Sequence, residues 1–160
     1  MKKILIVLML FIGMNAQAQE VYNELRQKNR KIVENPQTND LVRNICQFKL
    51  DALTYLAIKK HETKSNSSED FLDEQALAMD SYVNFYTEKY VEYYGMPESL
   101  LKEITKIFID TSLNTPLFKD KDKELVLSYY DNSKALIRFS LDTDWIKAYE
   151  YIKKALKKDK

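Results

Sequence analysis

Glycine is nearly missing from this chain: there are two in 160 residues, and of these Gly13 falls in the leading apolar run and leaves Gly95 alone in the remainder. That absence removes glycine-rich phosphate cradles and dinucleotide turns, and it deprives a sheet of its usual tight hairpins. Histidine occurs once, as His61. A single imidazole cannot build a His-Glu-x-x-His metal site or a two-histidine zinc site. His61 also shares a helix end with Lys59 and Lys60, where positive charge complements the helix dipole. Cysteine occurs once, as Cys46, so an internal disulfide is impossible and stability must come from packing. Cys46 lies between Ile45 and Phe48 on an apolar helical face, the setting of a buried, inert thiol. The three prolines, Pro36, Pro97 and Pro116, all fall between periodic segments and interrupt none. No excess of charge is present either, with 25 basic residues against 24 acidic ones. A general binder of nucleic acid or of membrane surfaces needs a basic excess.

No apolar run is long enough to span a bilayer, which takes about 20 residues. The longest, Ile4–Met14, follows Lys2 and Lys3 and precedes Asn15-Ala16-Gln17-Ala18. A basic start, a short apolar centre and small residues at the two positions read by a signal peptidase predict an export signal over 1–18, cleaved near Ala18. No cysteine follows the cleavage motif, so a lipid anchor is not expected. The mature chain, residues 19–160, is expected to be periplasmic or secreted and soluble, with no stable membrane insertion once the signal is gone. Losing Lys2 and Lys3 tips its net charge to about −1. Its length suits one domain with a core of its own.

Periodicity predicts six helices and no strand. The first covers about Glu20 to Val33, with Val21, Leu25 and Ile32 inward, and Asn35-Pro36 ends it. The second runs from Leu41 to His61, capped by Asn39 or Asp40, with Leu41, Ile45, Phe48, Ala52 and Tyr55 on its core face. The third is the longest, Glu69 to Tyr94, and is expected to organise the rest. Leu72, Ala76, Met79, Val83, Tyr86, Tyr90 and Tyr93 share one face; Phe71, Ala78 and Phe85 widen it, with Tyr82 between the two rows. Ser67 or Ser68 can cap its start; Gly95 fits a left-handed position after its end, with Met96 folding back and Pro97 forbidding continuation. The fourth helix spans Glu98 to Ser112 until Asn114-Thr115-Pro116 breaks it, with Leu117-Phe118 tucked into the core. The fifth is expected from near Lys121 to Ser140, on the rhythm Leu125, Tyr129, Asn132, Leu136, Phe139; a break at Asn132-Ser133 is the alternative. Asp142 or Thr143 caps the sixth, which presents Trp145, Ala148, Tyr149, Ile152 and Leu156. The expected fold is an all-α, compact single-domain bundle of about six helices after the signal peptide.

Residues that carry chemistry are few. Glu69, Asp70, Asp73 and Glu74 could form a glycosidase-like acid pair, but acids in a first helical turn are usually solvated and dipole-stabilised. Asp120, Asp122, Glu124 and Asp131 fit a calcium-loop register except that Leu125 stands where glycine is needed and Asp131 replaces a bidentate glutamate. No catalytic residue, cofactor site or metal site is therefore assigned. The lysines Lys153, Lys154, Lys157, Lys158 and Lys160 form a basic patch without interleaved aromatics, the pattern of a solvated helix end. The feature most open to function is the tyrosine row Tyr82, Tyr86, Tyr90, Tyr93 and Tyr94. Rings with a polar tip suit recognition of a protein or a sugar, although their spacing also follows the core stripe.

Residues 144–159, from Asp144-Trp-Ile-Lys-Ala148 through Ile152 and Ala155 to Asp159, resemble the second helix of a tetratricopeptide repeat. The preceding segment departs from that motif at Asn132 and Leu136, Lys160 stands where it has proline, and no 34-residue period recurs upstream. The Ala-Gln-Ala-Gln signal end, Leu117-Phe118-Lys-Asp and Phe139-Ser-Leu-Asp-Thr-Asp-Trp145 resemble a group of small exported helical proteins of Gram-negative bacteria, which implies export and helicity and no chemistry. The expectation is an exported, non-enzymatic protein that binds a protein or envelope partner, as an adaptor, inhibitor or holding chaperone. The alternatives are an enzyme acting on an envelope polymer with carboxylates and tyrosines, and a structural, self-associating bundle.

Overall fold

The computed structural model describes residues 19–63, 68, 70–132 and 134–157, and these form helices without any strand. The leading segment 1–18, together with Ser67, Glu69, Ser133, Lys158 and Lys160, lies outside the described residues. Five helices are longer than two turns: α1 (Glu20–Glu34), α2 (Asp40–Glu62), α3 (Phe71–Tyr93), α4 (Glu98–Asn114) and α6 (Trp145–Ala155). The sixth, α5 (Lys123–Val126), is a single turn between α4 and α6. The chain is thus an all-α single domain in which α3 packs against α1, α2, α4 and α6. Its wide apolar arc is what lets one helix meet four neighbours. No described helix is long and apolar enough to cross a membrane.

The core is aromatic. Tyr82 on α3 meets the rings of Phe108, Phe139 and Trp145 at centroid distances of 5.4, 5.2 and 5.6 Å, each edge to face. Phe48 on α2 closes the cluster against Phe139 and Trp145 at 5.9 and 6.0 Å. Such contacts add about 0.5–1.5 kcal/mol per pair beyond burial. Cys46 is buried, and burial pushes its thiol pKa up. Lys49 of α2 is also buried, and its ammonium is held by Asp80 at 2.6 Å and Asn84 at 2.7 Å, both from α3. A buried cation of this kind needs both partners, because water cannot replace them.

Local signals fixed most helix ends. Asn39 accepts a hydrogen bond from the Leu41 amide at 2.8 Å and starts α2, and Asn35 ends α1 in an extended conformation. The inward face of α1 is rotated by one position from the expected stripe: Tyr22 and Asn29 are buried, while Val21, Leu25 and Ile32 are half-buried. The start of α1 is held by a tertiary cap. Gln19 provides no side-chain cap for α1, and Asp73 of α3 supplies it, accepting from the Val21 and Tyr22 amides at 3.2 and 2.8 Å. At the start of α3 no side chain caps the helix; the Ser68 carbonyl accepts from the Phe71 amide.

The long fifth helix is not formed, and this is the main correction. After α5 the chain turns through residues 127–131 and then runs irregularly to Asp144. Asn132 bends the chain by accepting the Lys134 amide with its side chain and the Ala135 amide with its carbonyl, the local competition that disfavours helix. Beyond it Ile137, Phe139, Ser140 and Leu141 are all buried, which is not the one-sided pattern of a helix. The residues between Leu141 and Trp145 are buried as well, so this non-helical stretch passes through the interior.

Buried backbone outside a helix must find partners elsewhere. Here side chains and neighbouring loops provide them. The Ser112 hydroxyl accepts the Ser140 amide at 2.9 Å and contacts the Thr143 hydroxyl at 2.8 Å. The Val126 and Thr115 carbonyls accept the Leu141 and Asp144 amides at 3.0 and 2.7 Å. Gln75 of α3 accepts the Trp145 amide at 2.9 Å and donates to Asp144 at 3.2 Å. Asp144, not Asp142 or Thr143, is the cap of α6, accepting the Lys147 amide. Asp142 does something else. Its carboxylate gathers the amides of Leu117, Phe118 and Asp120 at 3.0, 2.7 and 2.8 Å, folding the 115–120 loop over the core. Lys119 adopts a positive φ of 53° to turn its neighbours' amides toward it.

Hydrogen bonds to a charged acceptor each contribute roughly 1.5–3 kcal/mol. Asp142→Asn places a side-chain donor against at least one of these amides, so it should destabilise the protein by about 3 kcal/mol or more. Urea unfolding measures this, and a loss below about 1 kcal/mol would contradict the assignment.

Candidate functional site

The tyrosine row divides into two parts. Tyr82 is fully buried and donates its hydroxyl to the Phe108 carbonyl at 2.5 Å; Tyr86 is buried and donates to the Leu136 carbonyl at 3.1 Å. Desolvation pushes both phenols up, Tyr86 to about 12. These two rings belong to the core and are closed to a partner. Past Tyr86 the helix leaves the core. Tyr90 and Tyr93 are half-buried, and Tyr94 is 73 % exposed. Tyr90 links the two parts, its ring 6.0 Å from that of Tyr86 and 6.3 Å from that of Tyr94.

The turn into α4 continues this exposed end. Gly95 has φ +91°, where a side chain is strained, although a Cβ there would meet nothing within 4 Å. Glycine is therefore required by the backbone turn alone. Met96 was expected to fold back; its amide bonds to the Tyr93 carbonyl at 3.1 Å, but its side chain is exposed. The reason is that Gly95 and Pro97 direct the chain away from α3 before Met96 can reach it. Val91, 72 % exposed, and Tyr94, Met96 and Leu100 are the exposed large apolar residues on the two sides of this turn. Four large exposed apolar side chains thus fall within ten positions of one helix–helix turn, called the strip below, and apolar surface gathered in this way marks an interaction site.

Next to the strip lies a groove of about 470 Å³ between the end of α3, one face of α4 and the 130–138 segment. Tyr90, Leu101, Thr105, Ile109 and Tyr130 line it, with Arg138. Arg138 is fixed in place: its Nε donates to the Tyr130 carbonyl at 2.9 Å, and the guanidinium carbon stands 5.1 Å from the Tyr130 ring centre. On the rim, Lys102 pairs with Glu98 at 2.7 Å and Lys106 pairs with Asp110. Glu98 and Asp110 are the groove's carboxylates. Twelve residues apart on a helix rising 1.5 Å per residue, they stand about 18 Å from each other. Paired carboxylates in glycoside hydrolysis sit roughly 5–9.5 Å apart.

Of the other candidate acids, some are engaged structurally and some are exposed. Asp73 caps α1, and Asp70 and Glu74 are exposed on the first turn of α3. Asp120 turns inward to Lys59 at 2.9 Å and Tyr55 at 3.0 Å, while Asp122 caps α5 by accepting the Leu125 amide. Burial would raise the Asp120 carboxyl, but Lys59, the Asp122 amide and Tyr55 outweigh it and hold it below its ordinary range. Among the described residues no cluster of three or more His, Cys, Asp or Glu side chains is placed to hold a metal ion. Lys153 lies over the Tyr149 ring at 4.3 Å, on a part of α6 away from the groove lining.

No family model, curated protein or solved structure matches the chain.

Sequence reasoning reached Tyr90, Tyr93 and Tyr94 but missed the facing wall, Leu101, Thr105, Ile109, Tyr130 and Arg138. A signal for part of it was present. Leu101, Thr105 and Ile109 recur every four residues beside the core seam of Ile104 and Phe108, which marks α4 as a helix with two apolar faces.

The buried tyrosines have a measurable consequence. A phenol whose folded pKa is raised contributes stability that is intact below its unfolded pKa of about 10 and is lost as pH rises through the folded value. For Tyr86 the window runs from about pH 10 to about 12, a loss of roughly 2–3 kcal/mol. Unfolding free energy measured across that window should fall less steeply in Tyr86→Phe than in the wild type, and equal slopes would refute the placement of Tyr86.

Proposed function

We infer that this protein is an exported, non-enzymatic helical protein that binds another macromolecule in the cell envelope, through the strip of Val91, Tyr94, Met96 and Leu100 and the adjoining groove. The observation that carries the reading is the exposed apolar side chains crowded at the α3–α4 turn. A folded chain gains nothing for its own stability by leaving Tyr94 and Val91 in water, whereas aromatic and large aliphatic anchors are the residues that dominate binding interfaces. Export is supported by the basic, apolar and small-residue pattern of the first 18 positions. A non-enzymatic role is supported by Asp73, Asp120, Asp122, Asp142 and Asp144, which serve caps, loops and ion pairs, and by the groove's two carboxylates, which stand too far apart along α4 to share one reacting atom.

The test is affinity capture from envelope extract with the mature chain and with a Val91→Ser, Tyr94→Ser, Met96→Ser triple variant. These positions carry little of the core, so the variant should retain the wild-type melting temperature within a few degrees. It should capture at least tenfold less of the partner seen with the wild type. Equal capture by both proteins would overturn the surface assignment. Mass spectrometry of the protein recovered from its native compartment should find Gln19 at its N-terminus. An intact Met1 there would overturn export by cleavage.

A further inference from the structure

The groove carries a charge that the rest of its lining does not answer. Four of its five charged residues form the two exposed pairs on the rim, Glu98 with Lys102 and Lys106 with Asp110. The fifth, Arg138, has no carboxylate partner among the described residues. Its Nε is committed to the Tyr130 carbonyl and its plane is supported by the Tyr130 ring, which leaves both terminal nitrogens without a hydrogen-bond partner among the described residues. A guanidinium held in this way is a pre-oriented fork, and the group that matches a planar fork of N–H donors is a carboxylate or a phosphate. The walls decide between them. Tyr90, Leu101, Ile109 and Tyr130 make an apolar trough, which suits a peptide side chain. A phosphate-rich polymer would bring its neighbouring charges against Glu98 and Asp110. The volume falls within the roughly 300–1,000 Å³ of small-ligand sites.

We propose that the groove binds a peptide segment of a partner protein in which a carboxylate, from Asp, Glu or the chain terminus, lies beside a large apolar residue: Arg138 takes the carboxylate and the trough takes the apolar side chain. The proposal rests on the reading of this end of the molecule as a binding surface and names what that surface selects. Arg138 sets specificity, because a neutral peptide would leave its fork dehydrated and unpaired. The apolar strip beyond Tyr94 then adds contact area without sequence choice.

The experiment is selection of random heptapeptides displayed in two formats, one with a free C-terminus and one internal, followed by fluorescence polarisation with the enriched peptide. The expected result is enrichment of a carboxylate within two positions of a large apolar residue, and the two formats tell whether a side chain or the chain terminus supplies it. Arg138→Gln should weaken binding at least about tenfold, the value of a charge-assisted hydrogen bond. Leu101→Glu leaves Arg138 in place and offers it an internal carboxylate, so it should weaken binding to a similar degree. Both variants are checked for a wild-type helical circular dichroism spectrum. If Arg138→Gln does not fold, Leu101→Glu alone decides. Enrichment without a carboxylate, no enrichment in either format, or binding within twofold of wild type in the deciding variant would overturn the proposal. Capture from envelope extract that depends on Val91, Tyr94 and Met96 but persists unchanged in Arg138→Gln or Leu101→Glu would sink this inference and leave the binding surface standing.

Discussion

A carboxylate buried against three backbone amides is the constraint on which this architecture rests. Asp142 is buried and its two oxygens take the amides of the half-buried Leu117, Phe118 and Asp120, so carboxylate and loop satisfy one another. That mutual need pins the 115–120 loop and, through it, the irregular chain that carries Phe139 into the aromatic cluster. Phe118 is carried along and meets the rings of Tyr55 and Phe71. Ser112, Thr143, Gln75 and Asp144 extend the same logic along the segment. A bundle of helices thus has a non-helical strut through its interior, and polar side chains give that strut what a helix would have supplied from its own backbone.

Around this strut α3 distributes roles along its length. Its first turn holds α1 through Asp73, its middle holds Lys49 through Asp80 and Asn84, and Tyr82 and Tyr86 hold α4 and the strut. Only the last turn is left over, and that is where the side chains become exposed. The separation of core from surface is therefore set by where the partners of α3 end. The residue type stays tyrosine throughout.

The all-helical class, the central place of α3 and the turn at Gly95 were legible because each depends on neighbouring residues: periodicity, caps and a required positive φ. The fifth helix was misread because its four-three rhythm was real but weak, while Asn132 bent the chain and tertiary burial favoured an extended Ile137–Leu141. The caps at Asp73 and Asp142 act on amides 51 and 25 residues away, and nothing local announces such a partner. The same holds for the groove. Tyr90 and Tyr94 could be named from their row, but Arg138 acquires meaning only when folding sets it on Tyr130 and opposite α4.

The buried strut also bears on the order of folding. Gln75 meets Trp145 across 70 residues, and Ser112 meets Ser140 across 28. Separations of this size carry loop-closure entropy that helix formation does not. The periodicity of α1 to α4 is local, yet Gln75 and Ser112 on them bond to residues of the C-terminal third. A half-assembled molecule thus has both an uncovered aromatic face and unanswered hydrogen-bonding groups. The last third of the chain is what closes the aromatic face and answers the buried polar groups of α3 and α4 together.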